Sequence, residues 1–325
     1  MLTFYNEHHA QHPGQPEQVG LVLTELQRRG LGEIVTPHRA SLVSLERIHT
    51  PRYLHFLRSA WSEWTALDPG NPGRDACASS WPVRTLRSDI EPDAFQARLG
   101  LYSMDGTPVT GGTWNAAKAG ADCAINAAHA LRLGQRGSFA LTRPAGHHAG
   151  ADFFGGGCFL NNAALAAQHL LDDGMKRVAI LDLGYHHGNG TQGLFYGRSD
   201  VLFVSIHADP RSDFPFYLGH PDETGTGEGL GYNINLPLAR GASPAHWFAV
   251  LETACIRLGM FAPEALVVSL GVDTGFGLQN GDFLRIGERL AWLGLPTAFV
   301  FESGNTPADI GTNTVNVLEG FETAT

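Results

Sequence analysis

Two pairs of adjacent histidines, His147-His148 and His186-His187, each lie in a glycine-rich turn just after an apolar stretch. Asp182 and Asp273 close apolar stretches of their own. Imidazole exchanges protons near neutral pH and ligates metals, and a neighbouring carboxylate or amide fixes which ring nitrogen is free to act. A lone histidine is more often a hydrogen-bonded structural residue. Two pairs in the company of strand-end aspartates favour acid–base or metal-assisted chemistry over structural turns. His207 also ends an apolar run but lacks that company, and it reads as structural. His8, His9 and His12 have loop composition and read as solvated surface, with a weak metal patch as the alternative.

Chemistry at these positions needs a scaffold that brings separate loops to one place. Short apolar runs at Leu2–Tyr5, Ser138–Thr142, Val178–Leu183, Val201–His207, Ala265–Leu270 and Thr297–Phe301 read as strands. Several are continuously apolar, as in strands covered on both faces. Between them, Gln18–Arg29, Thr113–Leu133, Asn162–Asp173, Pro244–Leu258 and Asp309–Gly320 carry helical spacing or helix-forming composition. The alternation predicts an α/β domain with a parallel sheet, whose ligands sit outside the carboxyl ends of the strands. All the polar turns above fall at such ends. The stretch Ala66–Gly100 has turn signals and little periodicity, and it reads as a surface excursion carrying Trp81, either a rim or dimer element or a variable insertion.

The chain has 325 residues, 43% of them apolar and 17% charged, enough to bury a large core in one domain. Its net charge of -10 disfavours nucleic acid and suits a cationic small molecule. No membrane segment or secretory signal is expected, which makes a cytoplasmic protein the default. Cys77, Cys123, Cys158 and Cys255 form no CxxC pair and read as reduced thiols.

The motifs RPAGHHAGADFFGGGCFLNNAA, DLGYHHGNGTQGLFY, FPFYLGHPDETGTGEG, SLGVDT and IGTNTVNVLEG, with FYNEHH, SSWPVR and GTW before them, give a resemblance over nearly the whole chain. It resembles the histone deacetylase superfamily, and within it the bacterial acetylpolyamine amidohydrolases. The resemblance implies the arginase-deacetylase fold, an eight-stranded parallel sheet between helices in a single domain, and a homodimer. It implies zinc-assisted amide hydrolysis on a small-molecule substrate. His147 and His148 match the catalytic pair, oriented by Asp182 and Asn189, and His186 and Asp273 match two zinc ligands. Asp182, the backbone carbonyls of Gly184 and His186, and Ser205 match a structural potassium site. Gly157, Phe159, Gly184 and Asn305 fall in the substrate pocket.

Three positions depart from the family pattern, all at the reaction centre. Gly184 stands where a zinc carboxylate is expected, Asn305 where a tyrosine donates to the oxyanion, and Gly157 where an aromatic residue lines the tunnel. His186 and Asp273 leave zinc short of the three protein donors a catalytic site takes, so zinc is expected to be substoichiometric there. Losing one oxyanion donor costs roughly 100- to 1000-fold in turnover. The retained histidine pair favours an enzyme acting on a small amine- or amide-containing substrate, with ordinary zinc deacetylation impaired or lost. The alternatives are an inert small-molecule-binding or assembly protein, and a zinc-dependent deacetylase whose substrate completes the metal site.

Overall fold

The computed structural model describes residues 2–5, 16–83, 87–273, 275–303 and 308–324. Its eight strands are β1 (Leu2–Tyr5), β2 (Gly32–Val35), β3 (Gly137–Ala140), β4 (Val178–Asp182), β5 (Val201–Ala208), β6 (Asn233–Leu238), β7 (Ala265–Gly271) and β8 (Thr297–Ser303). They form one all-parallel sheet in the order β2-β1-β3-β8-β7-β4-β5-β6. The six expected strands are all present. The two that sequence reading passed over, β2 and β6, are the sheet's edges.

Ten α-helices cover the sheet among the described residues: α1 (Pro16–Arg29), α2 (Leu42–Glu46), α3 (Pro51–Leu67), α4 (Phe95–Tyr102), α5 (Thr113–Arg132), α6 (Asn162–Asp172), α7 (Asn189–Phe195), α8 (Pro244–Phe261), α9 (Asn280–Ala291) and α10 (Ile310–Thr323). Strand side chains alternate between two cores, as the two-residue period requires. Val178 and Ile180 of β4 join the core beneath α2 to α7. Ala179 and Leu181 join the core beneath α1, α8, α9 and α10. None of these helices is long and apolar enough to cross a membrane. None of the four cysteines is in a disulfide among the described residues; Cys77 is exposed and the other three are buried.

The expected excursion at 66–100 is shorter than its turn signals suggested. Helix α3 runs to Leu67 and α4 begins at Phe95, so helices take both of its ends. Between them Ala76 bridges Val109, and the half-exposed Trp81 indole donates to Ser103 Oγ at 2.9 Å. These contacts pin the segment to the body.

Consecutive strands β3 and β4 are separated in the sheet by β8 and β7, so the chain leaves a crevice at the carboxyl ends where its direction of winding changes. The carboxyl ends of β3, β8, β7 and β4 lie side by side along that crevice.

Candidate active site

Asp182 closes β4 in register with Ser205 of β5 on one side and Ser269 of β7 on the other. It is fully buried, and its carboxylate can exist there only because polar groups converge on it. Oδ1 accepts from the Gly184 backbone N–H at 2.9 Å, and Oδ2 accepts from His147 Nδ1 at 3.0 Å. The neighbouring ring is held in the same way: His148 Nδ1 donates to Asn189 Oδ1 at 2.7 Å, and Asn189 is the first residue of α7. The two imidazoles lie 4.0 Å apart between ring centroids, and both are buried.

Burial alone would lower the pKa of His147, but the Asp182 carboxylate beside it, with Glu302 and Asp273 further away, outweighs that and holds it at about 9. His148 goes the other way. Burial and the adjacent His147 charge push it well below the usual imidazole value, against the bond from Asn189. The two adjacent imidazoles are thus shifted in opposite directions, each with Nδ1 committed to a partner.

Glu302, at the end of β8, closes the floor of this site. Its Oε2 accepts from the backbone N–H groups of Gly146 at 2.6 Å and His147 at 3.2 Å, whereas Oε1 is buried without a partner. Burial raises its pKa despite those bonds. Burial also pushes the Cys158 thiol well up. His147, Cys158 and Glu302 each place a donor atom within 4.8 Å of the others. Neither Cys158 nor Glu302 was singled out from the sequence, where one read as an ordinary buried thiol and the other sat one residue short of a glycine turn.

His186 is half-buried, its ring 6.3 Å from that of His148. The Phe214 ring stands nearly perpendicular to both, at 4.9 Å from His148 and 5.8 Å from His186. The FPFYLGHP segment carries Phe214, and its aromatic run was the available signal. Asp273 is half-buried and lines a narrow crevice with Tyr185, Leu183 and Phe276. Among the described residues, His186 and Asp273 belong to no cluster of three histidine, cysteine or carboxylate donors. Gly184 adds no side chain, and a β-carbon there would lie 2.7 Å from His147 Cε1. This donor set does not fit a tetrahedral zinc, which takes three protein ligands.

The remaining expectations divide. Gly157 has φ +75°, and among the described residues nothing lies within 4 Å of the place a β-carbon would occupy. Phe159 is buried in the core, stacked on Phe154 at 5.1 Å, and its carbonyl accepts from Tyr53 Oη at 2.6 Å. Ser205 Oγ lies 2.8 Å from His207 Nδ1, and His207 Nε2 donates to the Gly219 carbonyl at 2.9 Å. His207 is thus tied at both nitrogens. Asn305 and the His8, His9, His12 cluster lie outside the described residues.

Comparison with known proteins agrees along the chain. A family profile described as the histone deacetylase domain matches residues 12–290. Acetylpolyamine amidohydrolase 1 of Pseudomonas aeruginosa is 48% identical, covering 100% of this chain and 99% of its own. The acetylpolyamine amidohydrolase of Mycoplana ramosa is 42% identical over 94% of this chain and 91% of its own. A crystal structure of acetylpolyamine aminohydrolase from Burkholderia pseudomallei superposes with a TM-score of 0.92 at 36% identity, covering 99% of both chains.

Proposed function

Because the chain belongs to the histone deacetylase family, we propose that it is an amide hydrolase of acetylpolyamine amidohydrolase type in which the His147/His148 pair acts on a small amine- or amide-containing substrate without the ordinary zinc mechanism. The observation that carries this reading is the paired imidazoles, 4.0 Å apart and oppositely perturbed. His148, with its proton on Nδ1 toward Asn189, keeps Nε2 as the lone pair that takes a proton from water. His147, with Nδ1–H toward Asp182, keeps Nε2–H as the acid that delivers one to the leaving amine. General acid–base catalysis by a positioned pair of this kind supplies roughly 100- to 10,000-fold.

A structural potassium belongs to the same proposal. Asp182 and Ser205 are register partners on adjacent strands. With His207 Nε2 donating to Gly219, the Ser205 hydroxyl donates to His207 Nδ1 and its oxygen lone pairs stay available to a cation.

The test is turnover of N-acetylated diamines and related small amides by the purified chain in excess chelator, with wild type beside His147→Ala and His148→Ala. Hydrolysis that persists in chelator and is lost in both variants is the expected result. Hydrolysis that chelator abolishes and zinc restores, with the zinc lost in His186→Ala, would overturn it. Ligand affinity that survives both histidine substitutions in a chain with no turnover would mark a binding protein.

A further inference from the structure

Helices α5 and α6 lie side by side beneath the sheet, and away from the crevice their carboxyl-terminal ends bring together His129, His169 and Asp173. His169 and Asp173 are four residues apart, so they share one face of α6 and its cap. His129 comes across from the last turn of α5. The two rings are 5.6 Å apart between centroids. Asp173 Oδ2 lies 3.5 Å from His169 Nε2 and 3.7 Å from His129 Nδ1, and all three donor atoms fall within 4.8 Å of one another.

An ordinary histidine–carboxylate network would close to about 2.7–3.2 Å. These distances are longer. They approach the spacing of about 3.3 Å between donor atoms that share one tetrahedral ion at 2.0–2.1 Å. His169 Nε2 is buried without a hydrogen-bond partner, although it is aimed at Asp173. The cluster as a whole stays reachable, since the His129 side chain is 52% exposed. We propose that His129 Nδ1, His169 Nε2 and an Asp173 carboxylate oxygen form a surface site for a divalent transition metal of the zinc class. Two imidazoles and one carboxylate suit zinc, nickel and copper and leave a position for water. The nearby Asp172 carboxylate favours a cation and Arg132 opposes it. The ion would staple the end of α5 to the end of α6.

The experiment uses the full chain stripped with chelator and titrated with Zn2+ by calorimetry and with Co2+ by visible absorption, in wild type, His129→Ala, His169→Ala and His147→Ala. The expected result is one zinc equivalent bound in wild type and in His147→Ala, with affinity lower by at least about 10-fold in either surface variant, as loss of even an outer-shell partner costs ~10 to 100-fold. Tetrahedral Co2+ bands would weaken in the same two variants. Melting temperature in saturating zinc should rise by a few degrees in wild type and not in His129→Ala. Unchanged zinc affinity in the surface variants, or loss of the equivalent in His147→Ala alone, would overturn the proposal. His129 is exposed enough that its alanine variant keeps the fold, which thermal melting without metal checks. Zinc bound here counts toward total metal, so the pocket's own content is read in His129→Ala/His169→Ala.

Discussion

A β-carbon on Gly184 would sit 2.7 Å from Cε1 of His147 and 3.0 Å from Oδ1 of Asp182. The space that a zinc carboxylate would need is therefore already bordered by the base-bearing loop. His147 cannot swing aside freely, because its Nδ1 is bound to Asp182 at 3.0 Å and its backbone N–H to Glu302. The lack of a side chain at Gly184 and the position of the ring belong to one arrangement.

It follows that Gly184→Asp alone does not rebuild a working metal centre. The added side chain must displace His147 or strain the loop, and overpacking of this kind costs typically about 1–3 kcal/mol. The variant should melt several degrees below wild type and show no gain in zinc-dependent hydrolysis of N-acetylated diamines. A variant that kept wild-type stability and acquired such activity would show that His147 yields readily.

Within the histidine pair, removal of His148 should reduce turnover by roughly 100- to 10,000-fold while leaving KM close to wild type, since the ring moves a proton and contributes little ground-state binding. Asn189→Ala should reproduce part of that loss. Its Oδ1 fixes the His148 proton on Nδ1, and without it the ring populates the wrong tautomer. Equal activity in wild type and Asn189→Ala by initial-rate measurement would remove the amide from the account.

Gly157 separates backbone strain from steric crowding. Its φ of +75° is a left-handed conformation that costs an ordinary residue about 1–2 kcal/mol, yet no described residue lies within 4 Å of its β-carbon position. Gly157→Ala and Gly157→Phe should therefore lose the same stability in urea unfolding, with Gly157→Asn losing less. A much larger loss for phenylalanine would mean that a wall stands where the structure leaves an opening.

How much of this was legible in the sequence depends on the residue. The interior strands announced themselves because both faces are buried and Val178–Leu181 reads as an unbroken apolar run. The edges β2 and β6 did not. Gly32–Val35 has both central residues exposed, and Asn233–Leu238 holds Pro237, which an edge strand tolerates and an interior one does not. The same holds within the site. His147, His148 and Asp182 were legible because imidazole and carboxylate cluster after apolar runs, whereas Asn189 was legible only through the family resemblance. Glu302 was not, since a single glutamate at a strand end gives no pattern until folding places it under His147.

His49 was equally silent, and it carries the clearest acid dependence. It is fully buried, with Nε2 accepting from the Asn161 backbone N–H at 3.0 Å and Nδ1 donating to the Gly150 carbonyl at 2.9 Å, so it ties the loop after His148 to the start of α6. A proton on Nε2 would break the first of these bonds. Burial lowers its pKa to about 4 from 6.5, against the bond to Gly150. Below pH 6.5 the unfolded chain takes up a proton that the folded chain refuses until about pH 4, so stability is whole above pH 6.5 and declines between those values. At 1.36 kcal/mol per pH unit, the span from 6.5 to about 4 sets a ceiling of about 3 kcal/mol. His49→Gln, which cannot take up that proton, should be less stable than wild type at pH 7 but lose stability less steeply between pH 6.5 and 4. Urea midpoints across that interval measure both slopes, and parallel declines would assign the acid sensitivity to other groups.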